Sequence, residues 1–399
     1  MGSSILDPAC GSGSFLIRAY DELLNYHARV RGKTANEMEQ QDRMPILTRN
    51  IFGVDLDHQA VEIAHLNLLL RGLAKRDHLP PLTDNIRQGN SLISGTEKEL
   101  KIYFGKDWKA KHPFNWEDEF QDIMANGGFD VVIGNPPWVS LTGKHKSLDL
   151  PEGELQYLFD NYDINTYSPN LYEAFIWRAM ELLKEGGYFS FIVPDRVATN
   201  LQFIKVRASI LNSFTIRNLL FRFPFPGVIA DTMIFVIQKT PPAKKSMIAV
   251  LEYPSSKSAT IPQQTFIASS DSQFFFVDPQ IANIFDKIKL KSQIKNLGEI
   301  AKSTSGCGAK TSLIHGKRLS DKEIKILKGE NIGRYSNEGN FWFLFDDANL
   351  SGRTRDETKL GTKEKVLLRK TGSDIIATFV DSAVYFGILR ITRILVIRL

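Results

Sequence analysis

A chain of 399 residues with 43% hydrophobic content is long for one domain, comfortable for two, and rich enough for packed cores. No run of 18 apolar residues offers a membrane span, and the start is not read as a secretory leader. Two cysteines, Cys10 and Cys307, cannot build a disulfide framework, and no Cys/His cluster has zinc spacing, so no metal and a reducing cytoplasm are expected. The net charge of +5 is uneven: residues 1–240 hold 25 Lys and Arg against 29 Asp and Glu, and residues 241–399 hold 25 against 16. The basic second half points to a polyanionic partner.

The opening, Ser4-Ile5-Leu6-Asp7-Pro8-Ala9-Cys10-Gly11-Ser12-Gly13-Ser14-Phe15, reads as a short strand, a glycine-bearing turn and a helix start, with Phe15, Leu16, Ala19, Leu23 and Leu24 at helical spacing. Free N–H groups at such a helix start suit a carboxylate or phosphate, although a lone Gly-x-Gly turn is as often ligand-free. Asn50-Ile51-Phe52-Gly53-Val54-Asp55 predicts a second strand ending in an acid, placed to bind ribose hydroxyls. Ile86-Arg87-Gln88-Gly89-Asn90 predicts a third, delivering Asn90, whose amide both donates to and accepts from an adenine edge. Each feature alone is more often structural. Together, at successive strand ends, they outline an adenosine-shaped pocket.

Residues 94–128, with Trp108 and Trp116, are expected to form an irregular insertion. Gly128-Phe129-Asp130-Val131-Val132-Ile133-Gly134-Asn135-Pro136-Pro137-Trp138 then starts as a buried strand and stops abruptly. Two prolines remove two backbone donors and fix φ twice, leaving a rigid strand-end loop that displays an amide, carbonyls and an indole. Residues 139–168 lack periodicity and are expected to be a mobile, substrate-contacting loop. A helix from Pro169 to the Gly186-Gly187 pair, a strand over 188–194, a helix over 201–211 and strands over 216–221 and 232–238 follow. Between the last two strands, Phe223-Pro224-Phe225-Pro226-Gly227 makes a stiff loop with an exposed aromatic. Seven strands alternating with helices predict an α/β fold with a doubly wound, mostly parallel sheet. Residues 240–246, with paired prolines and lysines, are the expected linker to a smaller mixed α+β domain over 241–399. Short aromatic strands (274–276 and 341–345) and a helix-like stretch over 287–295 are expected there.

These pieces, in this order, resemble the gamma-class DNA adenine methyltransferases, particularly the methylase portions of Type IIG restriction–modification enzymes with TaqI-like specificity domains. The resemblance covers 4–240 with specific motifs and 290–385 more loosely. It implies a Rossmann-like methyltransferase sheet over 1–240, a target-recognition domain over 241–399, S-adenosylmethionine as cofactor and double-stranded DNA as partner. It also implies a restriction nuclease segment or subunit and a monomeric chain. Asp7, Pro8, Ala9, Cys10, Gly11 and Gly13 match the family's cofactor loop, and Asp55 its ribose-binding acid. Asn90 stands where the family has Asp for the cofactor adenine. Asn135-Pro136-Pro137-Trp138 matches the catalytic tetrad, and Phe225 the aromatic that packs on an extruded base. The stretches from Lys328 to Tyr335 and from Val366 to Thr371 resemble parts of the recognition domain.

The chemistry suits that reaction. An exocyclic adenine amine is a poor nucleophile, and the Asn135 oxygen with the Pro136 carbonyl can accept its two hydrogens, while Trp138 and Phe225 sandwich the base. Two other classes stay open: methylation of RNA or of a protein glutamine, and a DNA-binding remnant without catalysis. The chain begins six residues before Asp7 and carries no acid after Asp381. Its ends are therefore read as those of a fragment, and the tail over 389–399 as neither a family match nor an amphipathic strand.

Overall fold

Four short apolar runs, β1 (Ile5–Asp7), β2 (Ile51–Asp55), β3 (Ile86–Gln88) and β4 (Phe129–Gly134), lie parallel in the order β3-β2-β1-β4. They belong to a computed structural model that describes residues 3–73, 82–142, 148, 150–225, 227, 230–254, 257–269, 271–276, 300–369, 374–381, 385–386 and 394–398. Strand order turns back at β1, whose neighbours are β2 and β4, and at such a switch point a crevice opens beyond the carboxyl ends of the strands. Asp7 and Asn135 stand at those two ends.

The sheet continues through β5 (Leu183–Pro194), β7 (Thr232–Gln238), β6 (Thr215–Phe221), β8 (Met247–Glu252) and β9 (Lys257–Pro262), in that spatial order. Nine strands replace the expected seven. In β8 the alternating residues Ile248 and Val250 are buried in the main core, so the chain returns to the sheet after Pro241-Pro242 instead of leaving it. The compact units accordingly divide at Asn283 and Ile284, beyond the expected linker at 240–246.

Helices cover both faces. α1 (Ser14–Val30), α2 (Gln40–Asn50) and α3 (His58–Gly72) pack Leu16, Tyr20, Leu47, Ala64 and Leu68 on one side. The larger core on the other side draws on 94–128, which is not irregular: it holds α4 (Glu97–Phe104), a 3-10 turn (Gly105–Lys111), α5 (Trp116–Glu119) and α6 (Gln121–Ala125). Trp116 is fully buried there against Phe114, Phe120 and Phe129, which fixes the insert as core. The expected loop over 139–168 carries α7 (Glu152–Asn161), with Tyr157 and Leu158 buried; residues 143–147 and 149 lie outside the described residues. α8 (Leu171–Leu182) ends before the glycine pair, because Leu183 already pairs with Phe129 of β4. The short helix α9 (Arg196–Thr199), α10 (Ile204–Ser213) and α11 (Gln263–Ile267) follow in this unit.

The second unit, 284–399, is mainly antiparallel strands among its described residues. Lys302–Ser305, Ile394–Arg398, Lys365–Arg369 and Ala377–Val380 form one sheet in that order, and Ile324–Leu327 lies between Phe341–Phe343 and Tyr385–Phe386 in another. Cys307, Ile326, Phe343 and Leu367 anchor its core. The tail reading is corrected over Ile394–Arg398, which is a strand paired on both sides; two neighbours outweigh its weak alternation. The aromatic run 274–276 is not a strand, and the helix-like stretch over 287–295 lies outside the described residues.

Candidate active site

The end of β1 packs closely on the end of β4 at Asp7. Its carboxylate is buried, Oδ1 accepts from Ala9 N at 3.0 Å, and a Cβ at Gly134 would come within 2.5 Å of it. Burial, with the nearby Asp55 charge adding, pushes the Asp7 carboxyl up to about 7. Asp7 therefore lies packed between the cofactor-type loop and the end of β4.

Above it the chain turns tightly. Gly11 and Gly13 have φ of 53° and 83°, which favour glycine, and a Cβ at Gly13 would sit 3.3 Å from that of Ala64 on α3. Gly11 N donates to Asp55 Oδ2 at 2.8 Å and Asp57 N to Asp55 Oδ1 at 2.9 Å, so the acid at the end of β2 is fixed by two backbone donors. A carboxylate keeps lone pairs beyond those two for a ligand. Cys10 is buried against Gly53, and burial raises its thiol pKa, so it is a packing residue. At the end of β3, Asn90 N donates to His112 O at 2.7 Å and Asn90 Oδ1 accepts from Leu92 N at 3.1 Å. Ser91 Oγ donates to Pro8 O at 2.6 Å, joining the first and third strand ends.

These ends enclose a cavity of about 310 Å³, lined on this side by Pro8, Ala9, Asp55, Asn90, Asn135 and Pro137. That is the lower end of the range for small-molecule sites. Leu150, Glu154 and Leu158, from α7 and the residues before it, and Leu171 and Phe175 of α8 close the far side. Of the sequence-derived cofactor residues, Pro8, Ala9, Asp55 and Asn90 reach the cavity, while Asp7, Cys10, Gly11 and Gly13 shape its floor and turn. Sequence reasoning missed the α7–α8 wall and Glu154, for which no motif gave a signal.

The Asn-Pro-Pro loop is held by a short ladder: Leu141 N donates to Pro169 O at 3.0 Å and Leu171 N to Val139 O at 2.9 Å, tying it to the start of α8. Asn135 Oδ1 and Trp138 Nε1 are both buried, and neither has a hydrogen-bond partner among the described residues. Buried polar atoms of that kind call for a partner, which water or a ligand can supply. Trp138 and Phe225 come together with ring centroids 5.2 Å apart, tilted by 51°. They touch each other instead of forming a parallel slot, since a stacked base needs roughly 7 Å between two rings. Pro226 lies outside the described residues.

Comparisons with known proteins relate the chain as a whole to methylases and restriction-modification enzymes. Residues 49–223 match the Eco57I restriction-modification methylase family. Residues 1–79 also match an RMKL-like methyltransferase domain. A type II restriction enzyme and methyltransferase of Methanocaldococcus jannaschii is 23% identical, over 83% of this chain and 38% of its own. The Escherichia coli type II restriction enzyme and methyltransferase RM.Eco57I is 29% identical, over 52% of this chain and 21% of its own. The chain thus spans well under half the length of these methylase relatives. Among solved structures, the Type IIL restriction-modification enzyme MmeI in complex with DNA aligns with a TM-score of 0.60 at 14% identity, over 98% of this chain and 56% of that one. The ATP-dependent Type ISP enzyme LlaBIII bound to DNA gives 0.61 at 12%, over 99% and 31%. The fold is the α/β methyltransferase fold of these restriction-modification enzymes.

Proposed function

We propose that this chain is the methylase portion of a restriction–modification enzyme that methylates the exocyclic amine of adenine within a specific duplex DNA sequence. The observation that carries the reading is Asn135 Oδ1, buried and unpartnered, beside a cavity that also exposes Asp55 and Asn90. The donor set fits S-adenosylmethionine: Asp55 for the ribose hydroxyls, Asn90 for the adenine edge, and the apolar Pro8, Ala9 and Pro137 surface for the ring and thioether stem. When bound, that cofactor supplies an electrophilic methyl group on a sulfonium. Asn135 Oδ1 and the Pro136 carbonyl each accept one hydrogen of the target amine, which turns its lone pair out of conjugation with the ring. Pro136 and Pro137 stiffen the loop, so little reorganisation is left to the reacting state. Trp138 and Phe225 part to receive the base extruded from the duplex, and stacking on them offsets part of the lost base stacking.

The order of the cofactor and Asn-Pro-Pro loops supports a gamma-class assignment, and the basic second unit supports a TaqI-like specificity domain that grips DNA. The two restriction-enzyme relatives support a nuclease elsewhere in the same system as partner, and a cytoplasmic setting with the DNA. Incorporation of labelled methyl into duplex DNA, RNA and protein, side by side, tests the reading. Label is expected in DNA adenine; label in RNA or protein alone overturns it. DNA binding without any S-adenosylmethionine binding instead marks a remnant. Asn135→Ala is expected to lose at least about a hundredfold in transfer rate with cofactor affinity unchanged, as for other oxyanion-type preorganised groups. Retained turnover removes Asn135 from this role.

A further inference from the structure

α7 is fastened to the segment that follows β3. Tyr157 OH accepts from Ser94 N at 2.9 Å and donates to Ser94 O at 2.7 Å, and Tyr162 OH donates to Leu92 O at 2.6 Å. Lys111 Nζ meets Glu154 Oε2 at 2.8 Å, with side chains only 24% and 16% exposed. Glu154 and Asp55 are the two charged side chains lining the cavity among the described residues.

Their positions divide the work. Asp55 sits with Gly11 and Asp57, at the end of β2. Glu154 sits at the Asn90 end: its partner Lys111 precedes His112, whose carbonyl accepts from Asn90 N, and Pro113 bridges to Asn90 itself. Asn90 Oδ1 accepts from Leu92 N and keeps one lone pair, while no bond from its NH₂ group is seen among the described residues, so the two N–H donors are what Asn90 chiefly offers a ligand. An adenine edge presents ring nitrogens that accept and an exocyclic amine that donates. Asn90 can serve the ring nitrogens through its NH₂, and a carboxylate in the same wall is a stronger acceptor for the amine than an amide oxygen already bonded within its own loop. We propose that the Glu154 carboxylate is that acceptor, so that α7 reads the adenine of the adenosyl cofactor; this rests on the S-adenosylmethionine reading above. Lys111 engages Oε2 and positions the group.

The test uses the full chain and calorimetric binding of three ligands: S-adenosylmethionine, 5′-methylthioadenosine, and the 5′-methylthio purine riboside that lacks the 6-amino group. The unaltered chain is expected to bind the amine-free riboside roughly tenfold more weakly than methylthioadenosine, a hydrogen bond to a charged group being at stake. Glu154→Ala is expected to weaken S-adenosylmethionine and methylthioadenosine by about the same factor and to bind the two nucleosides alike. Glu154→Gln, which keeps a carbonyl acceptor, is expected to retain part of the preference, and it carries the test if the alanine variant fails to fold. Lys111→Met, which spares the carboxylate, is expected to retain the preference. Loss confined to S-adenosylmethionine reassigns Glu154 to the amino-acid end. A preference for the amine that survives in Glu154→Ala, or is lost equally in Lys111→Met, makes the pair a clasp. Both results overturn the proposal. If the unaltered chain binds none of the three ligands, the cofactor reading itself falls, an outcome separate from those.

Discussion

Gly134 is placed so close to Asp7 that its identity is set by a neighbour 127 positions away in sequence. Any Cβ there would meet a buried carboxylate oxygen at 2.5 Å. The carboxylate is buried and held by Ala9 N, so moving it aside costs that bond. Gly134→Ala is therefore expected to cost about 2–4 kcal/mol, measured by urea unfolding, and to weaken S-adenosylmethionine binding measured by calorimetry. An unchanged urea midpoint would show that the two loops are not coupled. A second buried acid, Glu173 in the first turn of α8, gives a pH signature. Its Oε2 accepts from Asn165 N at 3.3 Å, its Oε1 has no partner among the described residues, and burial pushes the carboxyl from 4.5 up to about 8. The folded chain holds this proton more tightly than the unfolded one, so the contribution is complete below about 4.5 and lost as pH rises through about 8. Glu173→Gln removes that dependence: the melting temperature of the variant minus that of the unaltered chain is expected to rise between about pH 5 and pH 9. A flat difference would mean Glu173 is not held neutral by burial. At this scale the sequence exposes Asn135, Asp55 and Asn90 because each ends a strand at a fixed place. It does not expose Glu154 or Glu173, since nothing in a charged loop or a helix start marks which carboxylate the fold will bury.

Elements follow the same division. β1, β2, β4 and β7 are readable because each is an apolar run closed by turn residues, and their parallel order follows from the helices between them for the first three, while β7 runs antiparallel beside β5. α7 is not, because a ten-residue helix with Gly153 near its start shows too few turns for a period to emerge. That glycine has a reason only in three dimensions: a Cβ there would lie 2.1 Å from the Tyr103 carbonyl oxygen. α10 offers a direct test of how loops are held to this frame. The Arg207 guanidinium is fully buried and donates to four carbonyls: Val197 and Asn200 at 2.8 Å, Asp271 at 2.9 Å and Ser272 at 3.1 Å. A planar fork satisfies four acceptors spread around it, and a lysine ammonium has three donors from one point. Arg207→Lys is expected to lose about 3 kcal/mol by chemical denaturation. A loss under about 1 kcal/mol would mean water replaces the missing contacts.

For the molecule as a whole, the charge asymmetry survives the shift of the unit boundary and becomes sharper. Residues 241–283, which join the first unit, hold three lysines against three acids. The second unit, 284–399, therefore keeps 22 Lys and Arg against 13 Asp and Glu, a net of +9, while the first unit is net −4. Composition could reveal that imbalance, but not the strands that carry it, which are short and paired across long sequence separations, as Lys302–Ser305 is with Ile394–Arg398. If the second unit is the DNA-gripping part, affinity for duplex DNA should fall steeply with salt, by about 0.9 in log–log slope per phosphate neutralised. Lys317 and Lys322 are exposed in the second unit, and Lys98 and Lys106 are exposed in the first. Lys317→Glu with Lys322→Glu is expected to weaken binding at low salt and to flatten that slope, whereas Lys98→Glu with Lys106→Glu leaves the slope unchanged. The two pairs change net charge equally, so a general field effect moves both curves together. Measured by fluorescence anisotropy across a salt series, equal slopes for the two double variants would place DNA binding outside the second unit.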